Sequence, residues 1–136
     1  MNDPALTEKR TKARHDCRLV SEYHGAVRVV RVLGCLDWTT ACEFRDLMRE
    51  ECTEAMVVVD LGGTTHMDSV GTGHLLTATA RTKRQGQQLV MVVADPLMLE
   101  VLTTTGLDTV VPVVATVSEA LFWLDAQGSP SAVGAP

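Results

Sequence analysis

Met56-Val57-Val58-Val59 is the segment that most narrows what this chain can become. Four apolar residues in a row, three of them β-branched, suit a strand covered on both faces, as parallel strands packed between helices are. The run ends at Asp60, a strand-end carboxylate within reach of the loop N–H groups that follow. After the Gly62-Gly63-Thr64-Thr65 loop, Asp68-Ser69 stands at the mouth of a helix that ends at Gly86. Asp and Ser are preferred N-cap residues, so the bland reading of the pair is a helix cap. The functional reading is a hydroxyl held in solvent where backbone N–H groups converge, a place suited to gaining or losing a phosphate.

The rest of the chain repeats the alternation. Leu19–Tyr23 and Ala26–Leu33 flank the turn-like His24-Gly25 and predict an opening antiparallel hairpin. Arg28 and Arg31, three apart, break strict alternation, which a bulge or an edge position would explain. Thr40-Ala41-Cys42-Glu43 fits a capping box, and Ala41, Phe44, Leu47, Met48 and Cys52 trace one helical face. The second helix carries Gly71, Gly73 and several threonines, so packing must hold it, with small residues allowing close approach to the sheet. Leu89–Ala94 is another buried strand, Asp95-Pro96 starts a third helix and Gly106 closes it. Val110–Val114, broken by Pro112, reads as an edge strand. Thr116-Val117-Ser118-Glu119 is a second capping box. The expected fold is α/β: a single domain over 17–126, with a mixed, mostly parallel sheet of four to five strands, an antiparallel N-terminal hairpin and about four helices.

Both ends read as tails. Residues 1–16 are polar and aperiodic, a disordered leader, and 127–136 are rich in Gly, Pro and Ser. The leader's Lys9, Arg10, Lys12 and Arg14 are offset by Asp3, Glu8 and Asp16, and the net charge of −5 argues against a nucleic-acid partner. The longest apolar stretch, Leu89–Ala94, is too short to span a bilayer, and Met1–Pro4 lacks a signal-peptide pattern, so no membrane and a cytoplasmic location are expected. Cys17, Cys35, Cys42 and Cys52 have no C-x-x-C spacing and read as reduced thiols, without a metal or cofactor.

Three blocks make the chain resemble the STAS domain family, and within it the bacterial anti-sigma-factor antagonists. Gly34-Cys35-Leu36-Asp37 before a helix resembles the family's G-x-L-D segment. Val57–Leu61 through Met67-Asp68-Ser69-Val70-Gly71 resembles its strand, loop and D-S-x-G signature. Thr105-Gly106-Leu107 and Ser118-Glu119-Ala120-Leu121 resemble its C-terminal T-G-L and E-A-L segments. The likeness covers Leu19 to Asp125. It implies partner switching: binding to an anti-sigma factor that is also a serine/threonine kinase frees a sigma factor, phosphorylation ends the binding, and a serine phosphatase resets the switch. Carried onto this sequence, Ser69 is the phosphoacceptor and Asp68 its acidic neighbour. Val70, Gly71 and Thr72 form the docking surface, and Asp37 lies on an adjacent loop facing the partner. Val70 departs from the small or hydroxyl residue usual there.

Two other functions compete. The same fold can sense a nucleotide or small ligand, or scaffold a complex, with no turnover at Ser69. A serine hydrolase would recruit His66 or His74 as base, but Met67 stands where a G-x-S-x-G elbow has its first Gly. The same two histidines lack a third partner for zinc. Trp38 reads equally as an interface anchor or as a half-buried cover over the first helix. Oligomeric state is not encoded in any motif.

Overall fold

Burial on both faces of one strand organises the molecule. In the computed structural model, which describes residues 9–14 and 17–128, Val57, Val58 and Val59 of β4 (Met56–Asp60) are all 0% exposed. Val57 and Val59 face a cluster containing Phe44, Leu75 and Leu102, while Val58 faces one containing Ala120 and Leu124. That two-sided cover is why the run is apolar without alternation.

The other strands are β1 (Lys9–Arg14), β2 (Cys17–His24), β3 (Val27–Leu36), β5 (Thr64–Met67), β6 (Gln88–Val92) and β7 (Val113–Val114). The helices are α1 (Ala41–Glu50), α2 (Ser69–Arg84), α3 (Pro96–Thr105) and α4 (Val117–Gly128), with a 3-10 turn at Leu107–Thr109. The sheet order is β1-β2-β3-β4-β6-β7, and β5 pairs with the far end of β3. β1–β2 and β2–β3 are antiparallel, and the remaining pairs are parallel. Helices α1, α2 and α3 pack on one face and α4 on the other. The α/β class, the N-terminal hairpin and the four helices are as expected.

Five expectations need correction. The leader is not wholly unstructured: Lys9–Arg14 pairs with β2 from Lys9↔Glu22 to Arg14↔Cys17. Edge pairing uses backbone groups and needs no apolar period, so the polar composition hid it. Residues 1–8, 15–16 and 129–136 lie outside the described residues, and α4 continues through Gly128 into the expected tail. The loop after β4 also contains a strand, β5, which together with β1 lifts the count above five.

β3 is interior, so Arg28 and Arg31 are explained neither by an edge nor by a bulge, the register shift lying further on at Gly34/Cys35. Each arginine instead has acidic company on its own face. Arg28 donates to Glu54 at 3.1 and 3.2 Å and to Ser21 Oγ at 2.6 Å. Arg31 lies 3.1 Å from Glu22 and 3.9 Å from Asp60.

The first capping box does not form. Thr40 Oγ1 donates to the Cys35 carbonyl at 2.9 Å and accepts from Asp37 N–H at 3.1 Å, leaving no side-chain cap on α1. At α4 half of the motif forms: Glu119 N–H donates to Thr116 Oγ1 at 3.1 Å, while the Glu119 carboxylate accepts from Ala115 N–H at 3.0 Å, one residue before the cap.

Candidate functional site

The start of α2 is set by how closely it meets the end of β3. A Cβ placed on Gly71 would lie 1.9 Å from the Leu36 carbonyl oxygen, so only glycine allows this approach. The Asp68 N–H also reaches that carbonyl, at 3.4 Å. The helix mouth and the β3–α1 turn are therefore one surface.

Asp68 ties the two together. Its Oδ1 accepts from Gly71 N–H at 2.8 Å, capping α2, and its Oδ2 accepts from Trp38 N–H at 3.0 Å. Both carboxylate oxygens are engaged by backbone donors, so Asp68 is first a clamp between α2 and the turn before α1. Thr72 N–H and Oγ1 each donate to the Asp68 carbonyl at 2.9 Å. Its hydroxyl thus turns back on the first turn of the helix.

Ser69 is exposed, and Val70 beside it is 43% exposed. Gly71 and Thr72, expected in the docking surface, are buried. Gly71 abuts the Leu36 carbonyl, and the Thr72 hydroxyl is engaged by the Asp68 carbonyl. Asp37 is half-buried, its Oδ1 accepting from Thr39 Oγ1 at 2.6 Å and Thr39 N–H at 3.0 Å. The Thr39 hydroxyl bond holds the Asp37 carboxyl below its ordinary range, and nearby His66 acts in the same direction. Trp38 is 71% exposed, which excludes the cover role and leaves a large apolar side chain in solvent on a backbone bonded to Asp68. Tryptophan's presence in the sequence alone could not show this.

His66 lies on β5, exposed, and His74 is half-buried on α2. No hydrogen bond among the described residues joins either to Ser69. Nor do the described residues contain a group of three or more His, Cys, Asp or Glu able to hold a metal, or a helix long and apolar enough to cross a membrane. Asp60 accepts from Gly62 N–H at 2.8 Å, the strand-end role expected of it.

The described residues thus form a mixed α/β sheet with helices on both faces and an exposed serine opening the helix beside β3. The STAS domain family model matches residues 18–120, and the chain belongs to that family. An anti-sigma factor antagonist from Mycobacterium paratuberculosis is similar at 24% identity and TM-score 0.67, over 92% of this chain and 99% of its own. The phosphorylated Bacillus cell fate determinant SpoIIAA is similar at 18% identity and TM-score 0.59, over 86% and 99%. A sulfate transporter family protein from Wolinella succinogenes is similar at 14% identity and TM-score 0.67, over 74% and 85%. At these identities the likeness is one of fold, shared by proteins with different roles.

Proposed function

We propose that this protein is a cytoplasmic anti-sigma-factor antagonist, without catalytic activity of its own. It binds an anti-sigma factor that is a serine/threonine kinase, releases a sigma factor, and is switched off when that kinase phosphorylates Ser69. A serine phosphatase restores it. The observation that carries the reading is the exposed Ser69 hydroxyl on the first residue of α2, with Asp68 immediately before it clamped on both oxygens.

The chemistry follows from placement. An exposed hydroxyl at a helix start can enter another protein's active site without unfolding. Phosphorylation adds about −1.5 to −2 charges there. The free N–H groups and dipole at the helix start tolerate the dianion, so the fold survives while the docking surface changes. An interface penalty of roughly 3 kcal/mol is a loss of about a hundredfold in affinity, within reach of one misplaced dianion.

Incubating the protein with ATP and a serine kinase encoded beside it tests the reading. One phosphate should appear, mapped by mass spectrometry to Ser69 and missing from Ser69→Ala. A phosphate on Thr72 or elsewhere, or none with any such kinase, would sink it.

A further inference from the structure

Trp38 and Phe122 are the two most exposed aromatic side chains, at 71% and 77%, but they differ in setting. Phe122 projects from α4, on the face of the sheet opposite α2, and nothing in its surroundings indicates a partner. Trp38 sits where Ser69 is addressed. Its backbone N–H is bound to the side chain of Asp68, the residue directly before Ser69, and Val70, directly after Ser69, is also exposed. A large exposed indole is unfavourable in water, and anchors of protein interfaces are enriched in Trp held rigidly before binding.

We infer that Trp38 is the apolar anchor by which the kinase acting on Ser69 recognises this protein, inserted with Val70 into an apolar pocket beside the kinase active site. The inference rests on the phosphoacceptor reading and supplies its recognition element. The hydroxyl alone marks a substrate weakly, since exposed serines are common. An exposed indole on a backbone tied to the residue before the serine gives the kinase something to discriminate. Rigidity is the second requirement, and the local bonds meet it. Thr39 N–H and Oγ1 close a turn on Asp37 Oδ1, and Asp68 Oδ2 holds the Trp38 N–H, so little backbone freedom is lost on docking. Asp68 is then a positioning residue for Trp38 as well as the helix cap.

The test uses the full chain carrying Trp123→Phe, which leaves Trp38 as the one fluorophore of its type, and the purified kinase found to phosphorylate Ser69. Binding should shift Trp38 emission to shorter wavelength as the indole leaves water. Trp38→Ala should weaken kinase binding about thirty- to a hundredfold with circular dichroism and melting temperature unchanged. Phe122→Ala should bind as the parent does. Asp68→Asn, which keeps both acceptor positions only in part, should weaken binding less than Trp38→Ala and speed hydrogen exchange at the Trp38 amide. If the kinase modifies Ser69 and binds Trp38→Ala as tightly as the parent, with no emission shift, the anchor is overturned and the phosphoacceptor reading stands. A chain whose Ser69 no kinase modifies overturns both.

Discussion

Gly71 and Leu36 meet so closely that the helix carrying the serine is welded to the end of β3: a Cβ on Gly71 would fall 1.9 Å from the Leu36 oxygen and 2.8 Å from its carbonyl carbon. Backbone atoms cannot yield as a flexible side chain can. Gly71→Ala should therefore displace the start of α2 and destabilise the protein by about 3 kcal/mol or more. Denaturant unfolding reads the loss. Gly73→Ala is the companion, because a Cβ there meets nothing within 4 Å. It should be neutral or raise stability by up to about 1 kcal/mol.

Asp68 should matter more than an ordinary cap. Replacing it with Ala removes both the bond from Gly71 N–H and the bond from Trp38 N–H. The expected cost is about 2 kcal/mol, the upper end for a lost N-cap, with faster amide exchange at both Gly71 and Trp38. A change confined to Gly71 would show that the link to the β3–α1 turn carries no energy.

The ease of reading differed along the chain for physical reasons. Asp95-Pro96 and Gly106 were plain because caps are local. Asp95 accepts from Leu97 N–H at 3.3 Å, and Gly106 takes φ 82°. The interior strands were plain because burial on two faces writes itself into side chains. β1 and β5 were hidden because short pairings at a strand edge or end draw on backbone groups that any residue carries. The α1 capping box misled because Thr40 had better partners in Cys35 and Asp37, a competition that only the folded chain creates. At the site, Ser69 could be picked out by its neighbours in sequence. The close approach at Gly71 was expected from its size, but at Gly73, expected to do the same, a Cβ would meet nothing within 4 Å. The burial of Thr72 could not be foreseen, since it depends on where the end of β3 lies.

Glu54 gives the protein an acid-sensitive contact far from Ser69 in sequence. Burial pushes its carboxyl up, but bonds from Arg28 and from Tyr23 OH outweigh this and hold it below its ordinary value of 4.5. A carboxylate depressed on folding stabilises fully above its unfolded pKa, and that share is lost as pH falls through the folded value. The loss therefore belongs below about pH 4.5. Glu54→Gln should flatten the fall in stability over that window. At neutral pH it should cost about 3 kcal/mol, because Arg28, 6% exposed, loses its counter-charge. Melting curves from pH 7 to 3 on both proteins check this.

The thiols should separate by reactivity. Cys42 is exposed and Cys35 half-buried, while Cys17 and Cys52 are buried. Burial pushes the Cys52 thiol up to about 12 and raises Cys17 as well. Since the thiolate is the reactive species, alkylation at pH 8 should label Cys42 first and leave Cys52 untouched until the protein unfolds. Peptide mapping after timed quenching shows the order, and early labelling of Cys52 would contradict its place in the core.

The direct test of the switch is the affinity of the kinase for the unmodified protein and for protein carrying phosphate on Ser69, measured by calorimetry under one set of salt conditions. Affinity should fall about a hundredfold on phosphorylation, with circular dichroism and melting temperature close to those of the unmodified protein. Equal affinity for the two forms, or a phosphoprotein that fails to bind because it has unfolded, would contradict the account.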